Sequence, residues 1–100
     1  MSSRIEVFNE KRKLVEELNK VMTVSDNITG LAYAADTLTG DECVRITDSS
    51  ATPHYVNVTA NSPQAILNEV CAFQLYRKPT GLVEGRAGRE YFAKMFEGIA

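Results

Sequence analysis

Asp48, Ser49, Ser50 and His54 fall within seven positions, and they are the residue types of a hydroxyl nucleophile, its base and the carboxylate that orients the base. Geometry, not nearness along the chain, makes such a site. Asp and Ser followed by Pro53 are also what a tight connection between strands uses to hydrogen-bond its own backbone, so a turn is the expected role. Cys43 stands two residues before Arg45, on the same face of any strand that holds both, and an adjacent guanidinium favours a thiolate. An inert, solvent-facing thiol is the simpler expectation for Cys43, and packing within a helix the expectation for Cys71. The spacings of zinc ligands, calcium loops and nucleotide-phosphate loops do not occur. The expectation is no metal, no cofactor and no catalytic residue.

Charge is spread unevenly. The 100 residues carry a formal net charge of −2, which argues against a globally basic nucleic-acid binder. Residues 21–76 hold one basic side chain, Arg45, against six acidic ones, while both flanking segments are mildly positive. Four of those carboxylates, Asp36, Asp41, Glu42 and Asp48, cluster around the connections between expected strands. Presented together they suit the Lys and Arg side chains of a basic protein partner. Several must act in concert, because a lone exposed ion pair contributes under about 1 kcal/mol. Lys11, Arg12, Lys13, Arg77, Lys78, Arg86 and Arg89 offer the alternative, contacts to phosphates of a nucleic acid, the less favoured partner.

The elements that must position these groups follow from periodicity. Val7, Phe8, Leu14, Val15, Leu18, Val21 and Met22 recur at helical spacing and predict a helix from Ser3 to about Met22, with Ser2 or Ser3 as its cap. Lys11 is the one charge inside that stripe, and its stem is expected to lie along it with the ammonium in water. Strands are expected over about 28–36, 42–47 and 54–59, with Leu31, Tyr33, Ala35, Val44, Ile46, Val56 and Val58 inward. Cys43, Arg45, Thr47, Tyr55, Asn57 and Thr59 then face outward. Short connections favour an antiparallel meander.

Ser62 and Pro63 open a second helix as cap and first residue, and Pro79 prevents its continuation past about Lys78. Gly81, Gly85 and Gly88 mark a flexible joint before a last helix over about 89–98 that presents Phe92, Met95, Phe96 and Ile99. The fold expected is a single α+β domain of order α-β-β-β-α-α, with residues 1–80 as core and 81–100 as joint and short C-terminal helix. Two long helices lie on one face of a three-stranded antiparallel sheet. On the second helix Leu67, Cys71 and Leu75 form a separate line opposite the core-facing arc. The last helix is expected to fold back over this line; a homodimer through the same residues is the alternative.

Gly85-Arg86-Ala87-Gly88 fits the GxxG pattern with which KH domains clamp a nucleic-acid backbone, although the strands of that family are not supplied in the right places. The α-β-β-β-α portion resembles the double-stranded-RNA-binding domain in order. That family grips phosphates with a Lys-rich start to its second helix, where Ser62, Pro63, Gln64 and Ala65 stand here. The stretch from Tyr55 to Val70, a VNVT strand followed by a Ser-capped helix, looks like small proteins of phages and mobile elements. The whole layout is also similar to some type II anti-CRISPR proteins, which present carboxylates where a nuclease would hold DNA. These resemblances imply a non-enzymatic accessory or inhibitor protein acting by protein–protein contact. Met1-Ser2-Ser3-Arg4 leads into a Glu- and Lys-rich stretch rather than an apolar run, so the expected location is the cytoplasm of a bacterial host, away from membranes.

Overall fold

Alternating apolar residues turn three consecutive segments into one sheet. The computed structural model describes residues 4–22, 28–50 and 52–97. The expected caps Ser2 and Ser3, and Ile99 of the last helix, lie outside the described residues. The elements are α1 (Arg4–Met22), β1 (Gly30–Ala35), β2 (Glu42–Thr47), β3 (His54–Asn57), α2 (Pro63–Tyr76) and α3 (Arg86–Glu97). The strands form an antiparallel sheet in the order β1-β2-β3, with Tyr33 opposite Val44 and Val44 opposite Val56. The expected α+β fold and its element order are therefore present.

One side of the sheet presents Leu31, Tyr33, Val44, Ile46 and Val56. They meet Phe8 and Val15 of α1 and Ile66, Val70 and Phe73 of α2 in the main core. Val21, expected in the apolar stripe of α1, is instead exposed. It lies in the last turn of the helix. α2 starts where local rules place it. The Ser62 hydroxyl accepts from the Ala65 amide at 3.2 Å, and Pro63 occupies a position that needs no donor. It ends at Tyr76 rather than Lys78, because Arg77 turns into the left-handed region (φ 56°) and its amide bonds back to the Phe73 carbonyl at 2.9 Å.

The other side of the sheet is not open, contrary to the sequence reading. α3 covers it. Phe92 and Phe96 pack on Ala34, Cys43 and Tyr55, so the positions expected to face solvent form a second core. Nor is the joint a loose connection. The Asn57 amide donates to the Gly81 carbonyl and the Val83 amide to the Tyr55 carbonyl, both at 2.8 Å, which adds a strap to the outer edge of β3. A Cβ on Gly81 would stand 2.5 Å from the Asn57 carbonyl oxygen, so only glycine permits this approach. Glu69 of α2 fixes the strap by accepting from the Gly81 amide at 2.8 Å and the Thr80 hydroxyl at 2.5 Å.

Candidate functional site

The turn after β2 does gather the residues whose types suggested nucleophilic chemistry, but in an arrangement that leaves no nucleophile with a base. Asp48 is 5% exposed. It accepts from the Ser50 hydroxyl at 2.5 Å and the Ser50 amide at 3.0 Å. Arg77 reaches it from the end of α2, and His54 Nε2 lies 3.3 Å away. The serine proton points to the carboxylate, not to the imidazole, and His54 rests against the Phe73 ring at 5.0 Å between centroids. The Ser50 hydroxyl and the Arg77 guanidinium hold the Asp48 carboxyl well below the usual carboxylate range, against the opposing effect of burial. Asp48 is thus the knot that ties the β2–β3 connection to the C-terminus of α2.

A second buried cluster joins α1 to β2. Lys11 and Glu42 are each 4% exposed and pair at 2.9 Å, with the Tyr33 hydroxyl donating to the same carboxylate at 2.6 Å. Burial and the neighbouring Glu42 push the Tyr33 phenol above its ordinary range. The ammonium expected in water is therefore internal, because a carboxylate 31 positions away compensates it. All three polar ends are engaged with one another, which makes this a bracket between elements.

These placements revise the acidic contact surface. Glu42 and Asp48 are buried and neutralised by Lys11 and Arg77, so neither is presented to a partner. Asp36 is used locally, accepting from the Leu38 and Thr39 amides at 2.8 and 3.3 Å. Asp41 accepts from the Tyr91 hydroxyl of α3 at 2.5 Å. Only Asp36 and Asp41 remain near the surface.

The basic groups are not brought together either. Lys11 is internal. Arg12 donates to Asn9 and lies over the Tyr33 ring at 5.4 Å, and Lys13 is exposed on the same helix. Arg77 is engaged with Asp48, and Lys78 follows it in an exposed position. Arg86 and Arg89 belong to α3, across the sheet from α1.

The cysteines exchange their expected roles. Cys43 is fully buried beneath α3, and burial pushes its thiol up to about 12, outweighing Arg45. Cys71 is exposed. With α3 on the far side of the sheet, α3 does not cover the line of Leu67, Cys71 and Leu75: Leu67 is half-buried, Cys71 is exposed, and Leu75 and Tyr76 are 70% and 72% exposed. Among the described residues no group of His, Cys, Asp or Glu side chains is placed to hold a metal ion, and no helix is long and apolar enough to cross a membrane. Compared with protein families, with curated proteins and with solved structures, the chain finds no match in any of the three.

Proposed function

We propose that the chain is a non-enzymatic binding protein acting through protein–protein contact, and that the outer line of α2 pairs with the same line of a second copy. The observation that supports this reading is the chemistry of that helix. Glu69 is the only charged residue of its 14, and it is turned inward to the strap. The outward side consists of the exposed Cys71, Leu75 and Tyr76 and the half-buried Leu67, flanked by the uncharged Gln64 and Asn68. A charged face repels its own copy, whereas an uncharged apolar one matches itself under two-fold symmetry. One helix face is smaller than the roughly 800 Å² per partner of a stable complex, so the expected dimer is a weak one.

Sedimentation equilibrium across a wide concentration range tests the reading. The expected result is reversible monomer–dimer association, abolished by Leu75→Glu combined with Tyr76→Glu, both exposed and therefore compatible with folding. Monomer mass up to the highest attainable concentration removes the proposal. An inhibitor meeting a basic partner, as the anti-CRISPR-like layout implies, keeps only Asp36 and Asp41 of the four carboxylates around the strand connections, and this ranks it behind self-pairing.

A further inference from the structure

The two edges of the sheet are finished differently. Along an antiparallel strand, peptide groups turn alternately toward one neighbour and then the other. The Val58 amide donates to the Glu42 carbonyl at 3.0 Å, which makes Glu42, Val44 and Ile46 the positions of β2 that bond β3. Cys43, Arg45 and Thr47 are left to bond β1, through Ala34, Ala32 and Gly30. On β3 the same alternation turns Tyr55 and Asn57 outward, and the strap takes up both. On β1 it turns Leu31, Tyr33 and Ala35 outward. The Leu31 amide is taken by the Asn19 side chain of α1 at 2.8 Å. The Leu31 carbonyl, the Tyr33 amide and carbonyl and the Ala35 amide have no partner among the described residues.

β1 also lacks the devices that usually close an exposed edge. Its six residues hold no charge and no proline, and its pairing with β2 runs in unbroken register without a bulge. Beside this edge lies a guanidinium with no counter-charge. Arg12 stands over the Tyr33 ring at 5.4 Å, and its one hydrogen-bond partner among the described residues is the neutral Asn9 side chain at 3.0 Å. On the opposite face Ala32 and Ala34 border the second core beneath α3.

We propose that the β1 edge docks an extended segment of another protein, added antiparallel to β1, with an acidic residue opposite Tyr33 and an apolar residue on each side of it. The acidic residue exchanges both main-chain hydrogen bonds with Tyr33. Directly paired residues share a face of the sheet, so its carboxylate lies on the α1 side, where Arg12 stands uncompensated. The two apolar neighbours lie on the other side, next to Ala32 and Ala34, and extend the second core past the edge of the sheet. Main-chain bonds supply the affinity in this mode of recognition, and the alternating side chains supply the selectivity. The contact is separate from the outer line of α2, so either can fail without the other.

The test titrates the full chain with a synthetic peptide, Thr-Val-Glu-Val-Thr, capped at both ends, and follows ¹H–¹⁵N spectra and amide hydrogen exchange. In the free protein the Tyr33 and Ala35 amides should exchange quickly while that of Ala34 is protected. The peptide should give saturable shifts at Tyr33 and Ala35 and slow the exchange of both about tenfold or more. Lys in place of the peptide's Glu should weaken binding about tenfold, and Arg12→Gln several-fold, because a complementary charge is replaced or lost. N-methylation of the peptide's Glu deletes the proton offered to the Tyr33 carbonyl and should abolish saturable binding with the protein itself unaltered. Ala35→Pro should do the same with the fold retained, since proline is accepted where a strand amide faces outward. Leu75→Glu combined with Tyr76→Glu should leave peptide binding as in the parent. Protection of the Tyr33 and Ala35 amides in the free protein, shifts that do not saturate, or binding indifferent to N-methylation overturns the proposal.

Discussion

Burial separates the two cysteines by what each can react with. A thiol reagent should modify Cys71 immediately in the native protein, and Cys43 only as fast as the chain unfolds, because the thiolate is the nucleophile and Cys43 is held neutral. The same displacement sets an alkaline limit. A folded-state pKa of about 12 lies above that of an unfolded thiol, so the stabilisation from Cys43 is complete below about pH 8.5 and is lost as pH rises toward 12. The decline is about 1.4 kcal/mol per pH unit, and Tyr33 adds to it above about pH 10. Denaturant titrations at several alkaline pH values should show a shallower decline for Cys43→Ala than for the parent.

Asp48 works in the opposite direction. Its depressed pKa means that its contribution is present above the unfolded value of about 3.9 and is lost as pH falls below it. Asp48→Asn should lower stability at neutral pH and flatten the acid limb of the stability curve. At the Lys11–Glu42 bracket, Lys11→Met strands a buried carboxylate and should cost about 3–5 kcal/mol. Adding Glu42→Gln should restore much of that loss. A double-mutant cycle on chemical denaturation measures the coupling, and strict additivity would remove the bracket as an energetic unit.

At the level of elements, α3 is the one whose position decides what the surface becomes. Phe92 and Phe96 are its two buried anchors. Phe92→Ala should cost about 3 kcal/mol and, by loosening the cover, raise the reactivity of Cys43 well before global unfolding. Mass spectrometry of pulse-labelled protein reads this directly. This element also marks the limit of the sequence. The order of helices and strands was legible because Ser62-Pro63 and the alternating Val44, Ile46, Val56 and Val58 are local signals. The site of α3 was not. Ala32, Ala34, Cys43 and Tyr55 are neither plainly polar nor plainly core, and a strand carrying them reads as half-exposed until something covers it. The carboxylates failed as candidates for a related reason. A charge is visible in sequence, whereas Lys11 facing Glu42, or Arg77 facing Asp48, requires the fold to bring distant positions together.

Over the whole molecule, the division of basic groups between opposite faces bears on nucleic acid. Lys13 on α1 and Arg86 and Arg89 on α3 cannot meet one stretch of backbone, because the sheet stands between them. Any complex with single-stranded DNA should therefore show a salt slope of no more than about 2, well below that of a dedicated binder. A slope measured by fluorescence anisotropy at several salt concentrations checks this.

The strap along β3 has a consequence for the order in which the chain assembles. Residues 81–83 need the edge of a completed β3, and Glu69 of a formed α2, before they have partners. α3 follows them in the chain and docks on a surface built from all three strands. Its docking is therefore expected to be a late event, on the native side of the rate-limiting barrier. Substitutions at Phe92 and Phe96 should accelerate unfolding while leaving the refolding rate nearly untouched, whereas Val44 and Val70 should affect both.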